Sequence, residues 1–117
     1  MIGKKTWIIP DMYYPEGGTR SPYVTHECIS VLNLEKEDAQ IRVTAYFEDR
    51  DPEVIGEFTC RSQRTVHYRL DKECSVGRNV PYSVLVESSA PIVAQYARVD
   101  TTQERLGLAT TMAYPVD

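Results

Sequence analysis

His26, Glu27 and Cys28 form the shortest run in the sequence whose side chains could do chemistry. On an extended strand His26 and Cys28 point to the same face, so both could ligate zinc, with His67 or Cys60 completing the site. A cysteine–histidine nucleophile pair is the alternative, because such partners meet in space rather than in sequence. The chain has two histidines and no closely spaced ligand pairs of the zinc-finger type. We therefore expect cysteines that serve the core, and no metal, cofactor or catalytic residue.

A second cluster combines basic side chains with an aromatic one. Arg61, Arg64, His67 and Arg69 lie close together in sequence, with Tyr68 among them. Basic residues interleaved with aromatic rings can hold single-stranded nucleic acid. The net charge of −4 opposes this function, because it repels a polyanion. The cluster is therefore interpreted as a solvated strand face, with a DNA-contacting regulator kept as an alternative function.

The most informative side chains are polar residues and one Trp, at positions where an all-β core would prefer aliphatic residues. Burying an unpaired polar group costs about 2 kcal/mol or more, and an unpaired charge costs further. These residues therefore form either a hydrogen-bond network that fixes strand register or a pocket that would suit a polyhydroxylated small molecule. The set is Trp7, His26, Glu27, Asn33, Gln95, Arg98 and Asp100.

The ligand-site hypothesis depends most on Arg98. A guanidinium inside an apolar strand needs a carboxylate, and Glu27 and Asp100 are the candidates. His26 and Glu27 are adjacent, so they point to opposite faces and share a pocket only if the strand twists or bulges. Gln95 points away from Arg98 and can serve packing instead. The predicted ligand-binding residues are Trp7, as an apolar wall, and His26, Glu27, Gln95, Arg98 and Asp100.

Short strands must position these residues. Alternation is clearest in residues 40–48, where Ile41, Val43, Ala45 and Phe47 share one face. Further strands are predicted over residues 4–9, 23–34, 55–60, 64–70, 82–87, 88–100 and 108–114. Eight short strands without an amphipathic helix between them predict an all-β fold, an antiparallel β-sandwich or a jelly-roll-like barrel.

Residues 88–100 form the least interrupted apolar run, which predicts a strand buried on both faces. The chain is expected to break at residues 88–91, because Pro91 follows small polar residues. Residues 101–107 carry a Thr-x-x-Glu capping box and a closing Gly, so they are predicted to form the one short helical turn.

Length and composition bound the class of protein. At 117 residues, 42% of them hydrophobic, the chain is expected to fold as a single domain, residues 1–117. The N-terminus lacks the apolar run of a signal peptide, and no segment approaches the ~18 apolar residues that a membrane helix needs. Three cysteines, odd in number and without C-x-x-C spacing, favour reduced thiols. A cytoplasmic location is expected.

The polar positions are also where a family resemblance lies. Trp7, Thr-His-Glu at residues 25–27, Asn33, the decapeptide PIVAQYARVD at residues 91–100 and Ala-Tyr at residues 113–114 resemble the sensory rhodopsin transducer family. The usual forms in that family are Ser-His-Glu and Pro-Ile-Val-Val-Gln, so this sequence departs from them at Thr25 and Ala94. The resemblance covers nearly the whole chain in order.

The resemblance implies a small β-sandwich that forms a homotetramer and has no known catalytic activity. Named members are cytoplasmic partners of a microbial membrane photoreceptor, and a sugar-like ligand has been suggested for others. Tyr46, Tyr68 and Tyr96, expected on strand surfaces, also favour a closed homo-oligomer. The predicted function is a non-catalytic signalling or binding module, and an enzyme of unknown type is a further alternative.

Overall fold

The computed structural model describes residues 2–15, 25–73, 76–102 and 107–117, without the side chains of residues 72 and 73. Eight strands and one four-residue helical turn form the regular structure of this part of the chain. The strand pairings are antiparallel, so the predicted all-β antiparallel fold is confirmed. In chain order the elements are β1 (Lys4–Tyr13), β2 (His26–Asn33), β3 (Ala39–Phe47), β4 (Glu53–Cys60), β5 (Arg64–Arg69), α1 (Leu70–Glu73), β6 (Pro81–Asp100), β7 (Gly107–Met112) and β8 (Tyr114–Val116).

The two sheets of the sandwich are joined by β6, which at 20 residues is long enough to belong to both. Up to Ile92 it pairs with β1 and β3, and the order of this first sheet is β4-β3-β6-β1-β8. From Val93 it pairs with β2 and β7 in the second sheet, where β5 pairs with β2. Where the sequence predicts a break, at residues 88–91, β6 continues and changes sheets. Pro91 lies at this crossing, where the missing amide hydrogen leaves no ladder bond unmade.

The facing sides of the two sheets form the core. In β3 the side chains of Ile41, Val43 and Ala45 are buried, as the alternation in the sequence predicts. From β2, Ile29 and Val31 point to the same core and are fully buried. Each buried Val or Ile side chain of this core stabilises the fold by about 1.5–3 kcal/mol relative to leaving it exposed.

The apolar run at residues 88–100 is buried on one face rather than on both. Ala94 and Tyr96 point into the core, whereas Val93, Gln95 and Ala97 on the other face are half-buried. In a two-layer sandwich only the inner face of each sheet is covered by the opposite sheet. The outer apolar residues are therefore shielded by their neighbours on the same sheet instead of by a further layer.

Two of the three tyrosines expected on strand surfaces are buried, so that prediction is wrong for them. Tyr46 is 43% exposed, but Tyr68 and Tyr96 are only 9% and 6% exposed. Tyr68 stacks on Phe58 with ring centroids 4.3 Å apart. A side chain at Gly56 would collide with the Tyr68 hydroxyl. The ring fits inside the sandwich because a glycine on the opposite sheet leaves space for it.

The single helical turn of the described chain follows β5. It spans Leu70–Glu73, and Leu70 is buried beneath it. The turn predicted for residues 101–107 falls largely on residues 103–106, which lie outside the described part of the chain. Within the described residues, no helix has the length and apolar character that crossing a membrane requires.

The sandwich is open along the side formed by β7 and β8. β7 pairs with β6 in the second sheet, and β8 pairs with β1 in the first. Ala113 connects these strands and donates its N–H to the carbonyl of Ala94 over 3.2 Å. All six residues of β7 are exposed, and β1, β7 and β8 line an open groove between the sheets.

Candidate functional site

A buried carboxylate lies at one end of the core, where β2 enters the second sheet. The side chain of Glu27 is 1% exposed and accepts three hydrogen bonds. Its Oε1 accepts one from the Tyr82 hydroxyl over 2.6 Å, and its Oε2 accepts one from the Tyr96 hydroxyl over 2.5 Å. The third donor is the backbone N–H of Tyr13, 2.9 Å from Oε2. Glu27 therefore connects β1 and both parts of β6 to β2.

Arg98 is the direct cross-strand neighbour of Glu27 in the pairing of β2 with β6. Its Nη2 lies 3.6 Å from Glu27 Oε2, and its Nε donates to the Tyr96 hydroxyl oxygen over 2.8 Å. The Tyr96 hydroxyl thus accepts from Arg98 and donates to Glu27. The expectation that Arg98 requires a carboxylate is confirmed, and the structure selects Glu27 over Asp100.

Burial strongly raises the pKa of the Tyr96 hydroxyl, and the hydrogen bond to Glu27 and the charge of that carboxylate raise it further. Tyr96 therefore stays protonated and remains a donor. Burial alone would lower the pKa of Arg98, but the interactions with Tyr96 and Glu27 outweigh it and the net shift is upward. The Tyr96 hydroxyl and the Arg98 guanidinium therefore keep the protons that their hydrogen bonds require.

Asp100 belongs to a separate arrangement at the end of β6. Its Oδ1 accepts the Thr102 backbone N–H over 2.8 Å and the Thr102 hydroxyl over 2.6 Å. These hydrogen bonds lower the pKa of the Asp100 carboxyl. Beside it, the hydroxyls of Thr25 and Thr101 lie 2.9 Å apart and are buried. Asp100 therefore fixes the exit of the chain from β6 and does not contact Glu27.

The outer face of β2 carries His26 and Cys28, on the opposite side of the strand from Glu27. Burial raises the pKa of the Cys28 thiol, the reverse of what a nucleophilic cysteine needs. Nearby, Arg69 binds Asp71 with two hydrogen bonds of 2.7 Å. In the described ranges no three His, Cys, Asp or Glu side chains are grouped so that they could hold a metal ion.

Asn33 and Cys60 bind the backbone of the turns at the other end of the sandwich. The Asn33 amide donates to the carbonyls of Glu37 and Cys60 over 2.9 and 3.0 Å and accepts the N–H of Glu35. The Cys60 thiol donates to the carbonyl of Arg64 over 3.3 Å. The Asn33 side chain thereby holds the connection from β2 to β3 against β4, and the Cys60 thiol closes the turn from β4 to β5.

Trp7 lies near the opposite end of β1 from Tyr13, the residue of this strand that binds Glu27. Its indole N–H is shared by the carbonyls of Ile92 and Lys4, at 3.1 and 3.0 Å. It is six residues before Tyr13 on β1, about 20 Å along the strand at about 3.3 Å per residue. Gln95 lies on the outer face of the second sheet and donates to the Thr110 hydroxyl.

Of the six residues predicted to bind a ligand, the structure brings Glu27 and Arg98 together and places Trp7, His26, Gln95 and Asp100 elsewhere. Sequence reasoning missed Tyr82 and the burial of Tyr96. The available signal was that Tyr96 shares a face with Arg98, because a polar ring beside a buried charge is a natural hydrogen-bond partner.

The open groove of about 550 Å³ reaches this network from outside. Arg98 and Tyr96 line it from β6, and Asp11 lines it from β1 together with Ile9 and Pro10. Residues of β7 and β8 and the connecting Ala113 form the rest of its wall. A β-bulge between Ile9 and Met12 displaces the chain there, so that both of these residues are buried although three positions apart. The lining residues are Ile9, Pro10, Asp11, Tyr96, Arg98, Ala109, Thr110, Thr111, Met112, Ala113, Tyr114 and Pro115.

The fold and this site define a small antiparallel β-sandwich with an internal Glu–Tyr–Arg network. The chain belongs to the Anabaena sensory rhodopsin transducer family, whose model matches residues 2–115. The resemblance found in the sequence is thereby confirmed. No curated protein sequence matches the chain.

Solved structures that resemble this chain include two with named sources. The crystal structure of Thermotoga maritima 1070 superposes with a TM-score of 0.92 and is 37% identical, covering 99% of this chain and 97% of that one. The Anabaena sensory rhodopsin transducer superposes with a TM-score of 0.73 and is 29% identical, covering 81% of this chain and 94% of that one. The family and these structures support a signalling module.

Proposed function

We propose that this protein is a non-catalytic signalling module that acts in the cytoplasm on behalf of a membrane photoreceptor. The observation that carries the proposal is the family match over residues 2–115, joined by the structural likeness to a protein named as a sensory rhodopsin transducer. A rigid sandwich with a buried polar network suits a relay better than a reaction centre, because Glu27 ties β1, β2 and β6 together.

The receptor proposal is tested by sedimentation with lipid vesicles that contain a retinal protein. The expected result is that the chain sediments with these vesicles, and that illumination changes the bound fraction. Vesicles of the same lipid without the retinal protein are the control. Equal binding to both kinds of vesicle, or binding to neither, contradicts the receptor function.

The proposed module is a closed homo-oligomer, a tetramer, assembled through the outer face of the first sheet. Five residues in register cross this face and form a row in which four are apolar. Val54 and Tyr114 at its ends are 51% and 66% exposed. Monomers seldom leave a continuous apolar band in water. The row is Val54, Thr44, Leu85, Ile8 and Tyr114.

Light scattering at micromolar concentration tests this assembly. The expected mass is four times that of the chain, and Leu85→Lys is expected to lower it, because a charge in the apolar row disfavours its burial. Gln40→Lys, at an exposed position of the same face, is the matched control. A monomeric wild type, or an unchanged mass for Leu85→Lys, contradicts the assembly.

A second candidate function is small-molecule binding, which the groove favours. Its volume lies within the range of about 300–1,000 Å³ that is usual for ligand sites. Arg98 connects this groove to the buried network, so an occupant that contacts its guanidinium also acts on Glu27. Thermal-shift screening of sugars, organic acids and amino acids tests it, because a ligand that binds the folded state raises the melting temperature.

A further inference from the structure

The groove wall carries one positive and one negative side chain, on different strands. Among the lining residues that the structure describes, Arg98 is the only cation and Asp11 the only carboxylate. Arg98 belongs to β6 and Asp11 to β1, so the two charges stand on opposite sheets of the open sandwich. A groove built in this way is complementary to a molecule that carries both charges.

Arg98 has donors left for a ligand. Its Nε is used by Tyr96 and its Nη2 faces Glu27, while Nη1 donates to no group in the part of the chain that the structure describes. The Arg98 side chain is 28% exposed and lines the groove. A planar guanidinium with a free edge is the side chain best suited to a carboxylate.

Asp11 is placed by the β-bulge of β1. Two residues, Pro10 and Asp11, lie between the inward-facing Ile9 and Met12, where regular alternation would place one. The hydroxyl of Ser83 donates to the Pro10 carbonyl over 2.6 Å and holds the bulge against β6. Bulges commonly re-aim a side chain next to a binding site. The charge of Asp11 also acts on Arg98 and helps to raise its pKa.

The balance of charge selects among possible ligands. Glu27 already compensates Arg98, so a purely anionic ligand would meet the repulsion of Glu27 and Asp11 together. A purely cationic ligand would leave the free donors of Arg98 unpaired. A sugar would satisfy the polar groups but not the apolar wall, which includes Ile9, Ala109, Ala113 and Pro115.

We propose that this groove binds a free α-amino acid with an apolar side chain. Its carboxylate pairs with Arg98, its ammonium with Asp11, and its side chain lies along the apolar wall between β1, β7 and β8. The inference rests on the proposed small-molecule binding function and names the class of ligand. It concerns this groove alone and does not depend on the receptor partner.

The test is calorimetric titration of the full chain with four probes: L-leucine, leucinamide, N-acetyl-L-leucine and glucose. Leucinamide lacks the carboxylate and N-acetyl-L-leucine lacks the ammonium. L-leucine is expected to bind about tenfold or more tightly than either analogue, because each analogue loses one charged hydrogen bond of about 1.4 kcal/mol or more. Glucose is expected not to bind.

Variants locate the site. Asp11→Asn is expected to weaken the binding of L-leucine about tenfold and to leave the affinity for N-acetyl-L-leucine unchanged. Arg98→Lys keeps the positive charge near Glu27 but loses the planar edge of the guanidinium. It is expected to lower the affinity for L-leucine and N-acetyl-L-leucine and to leave the affinity for leucinamide unchanged. Asp51→Asn, at an exposed position outside the groove, is the matched control.

Three outcomes overturn the proposal. Equal affinity for L-leucine and either analogue, or no effect of Asp11→Asn, shows that Arg98 and Asp11 do not bind the carboxylate and the ammonium of one ligand. Binding of glucose in the groove in place of L-leucine leaves small-molecule binding standing but refutes the amino acid. If no probe binds and the groove variants change the oligomer mass, a second copy of the chain occupies the groove. That result refutes both the amino-acid ligand and small-molecule binding in this groove.

Discussion

Two Arg–Glu pairs in this sandwich have the same chemistry and opposite surroundings. Arg98 and Glu27 are cross-strand neighbours on the inner face of the second sheet, and Arg42 and Glu57 are cross-strand neighbours on the outer face of the first. The Glu27 side chain is 1% exposed, whereas Arg42 and Glu57 are 58% and 63% exposed. The inner pair is hydrogen-bonded to tyrosine hydroxyls, and the outer pair is exposed at the surface of the chain.

The contribution of such a pair to the free energy of unfolding is expected to depend on burial and on additional hydrogen-bond donors more than on the ion pair itself. At the surface the Coulomb attraction is screened and is offset by lost side-chain entropy. In the core the carboxylate has left water, so each missing donor leaves part of its desolvation uncompensated. The distances agree with this view, because Glu27 binds the tyrosines more closely than it binds Arg98.

The largest expected effect is on Glu27. In Glu27→Gln an amide N–H₂ replaces one carboxylate oxygen and meets donors instead of accepting from them. We expect a loss of about 3–5 kcal/mol in the free energy of unfolding by urea. Glu57→Gln, on the outer pair, is the matched control with an expected loss of less than about 1 kcal/mol. Similar losses for the two variants would erase the contrast between the pairs.

A smaller effect on the free energy of unfolding is expected from removing one of the two tyrosine hydroxyls that bind Glu27. Tyr96→Phe deprives Glu27 of a donor and also leaves Arg98 Nε without its acceptor. Tyr82→Phe removes one hydrogen bond to Glu27. We expect losses of about 1–3 kcal/mol, with Tyr96→Phe the more costly in urea unfolding. A greater loss for Tyr82→Phe would mean that Arg98 does not depend on Tyr96.

Asp100 is expected to contribute to the loss of folding stability as the pH is lowered. Its folded pKa is depressed by the hydrogen bonds from Thr102, so the stabilisation is present above the unfolded value of about 3.9. It is lost as the pH falls through the folded pKa. Wild type should therefore exceed Asp100→Asn in melting temperature at pH 6, and the difference should vanish toward pH 2. A difference that grows on acidification contradicts this assignment.

The smallest effect is expected for the outer pair. Arg42→Ala should change the free energy of unfolding by less than about 1 kcal/mol, and the coupling with Glu57→Ala in a double-mutant cycle should shrink further in molar salt. Arg42 lies two residues before Thr44 on β3, next to the proposed apolar row, so a coupling that persists at high salt would mean that the proposed assembly covers this pair as well as the row.

Much of the fold was predictable because strand patterning is local. The alternation of Ile41, Val43 and Ala45 is read correctly, and so is the need of Arg98 for a carboxylate. The burial of Tyr68 was not predictable, because it depends on Gly56 lying across from it on another sheet. The double pairing of β6 was also hidden, since a strand that changes sheets looks in sequence like two strands with a break.

By itself the sequence determined which residues alternate, that the fold is all-β, and that polar side chains inside apolar strands would need partners. The tertiary structure alone decided which partners they found. It joined Arg98 to Glu27 and wrapped that carboxylate in tyrosine hydroxyls, and it placed Trp7 about 20 Å along β1 from Tyr13. The physical reason is that alternation depends on neighbours in the chain, whereas hydrogen-bond partners depend on the register and the facing of strands that are remote in sequence.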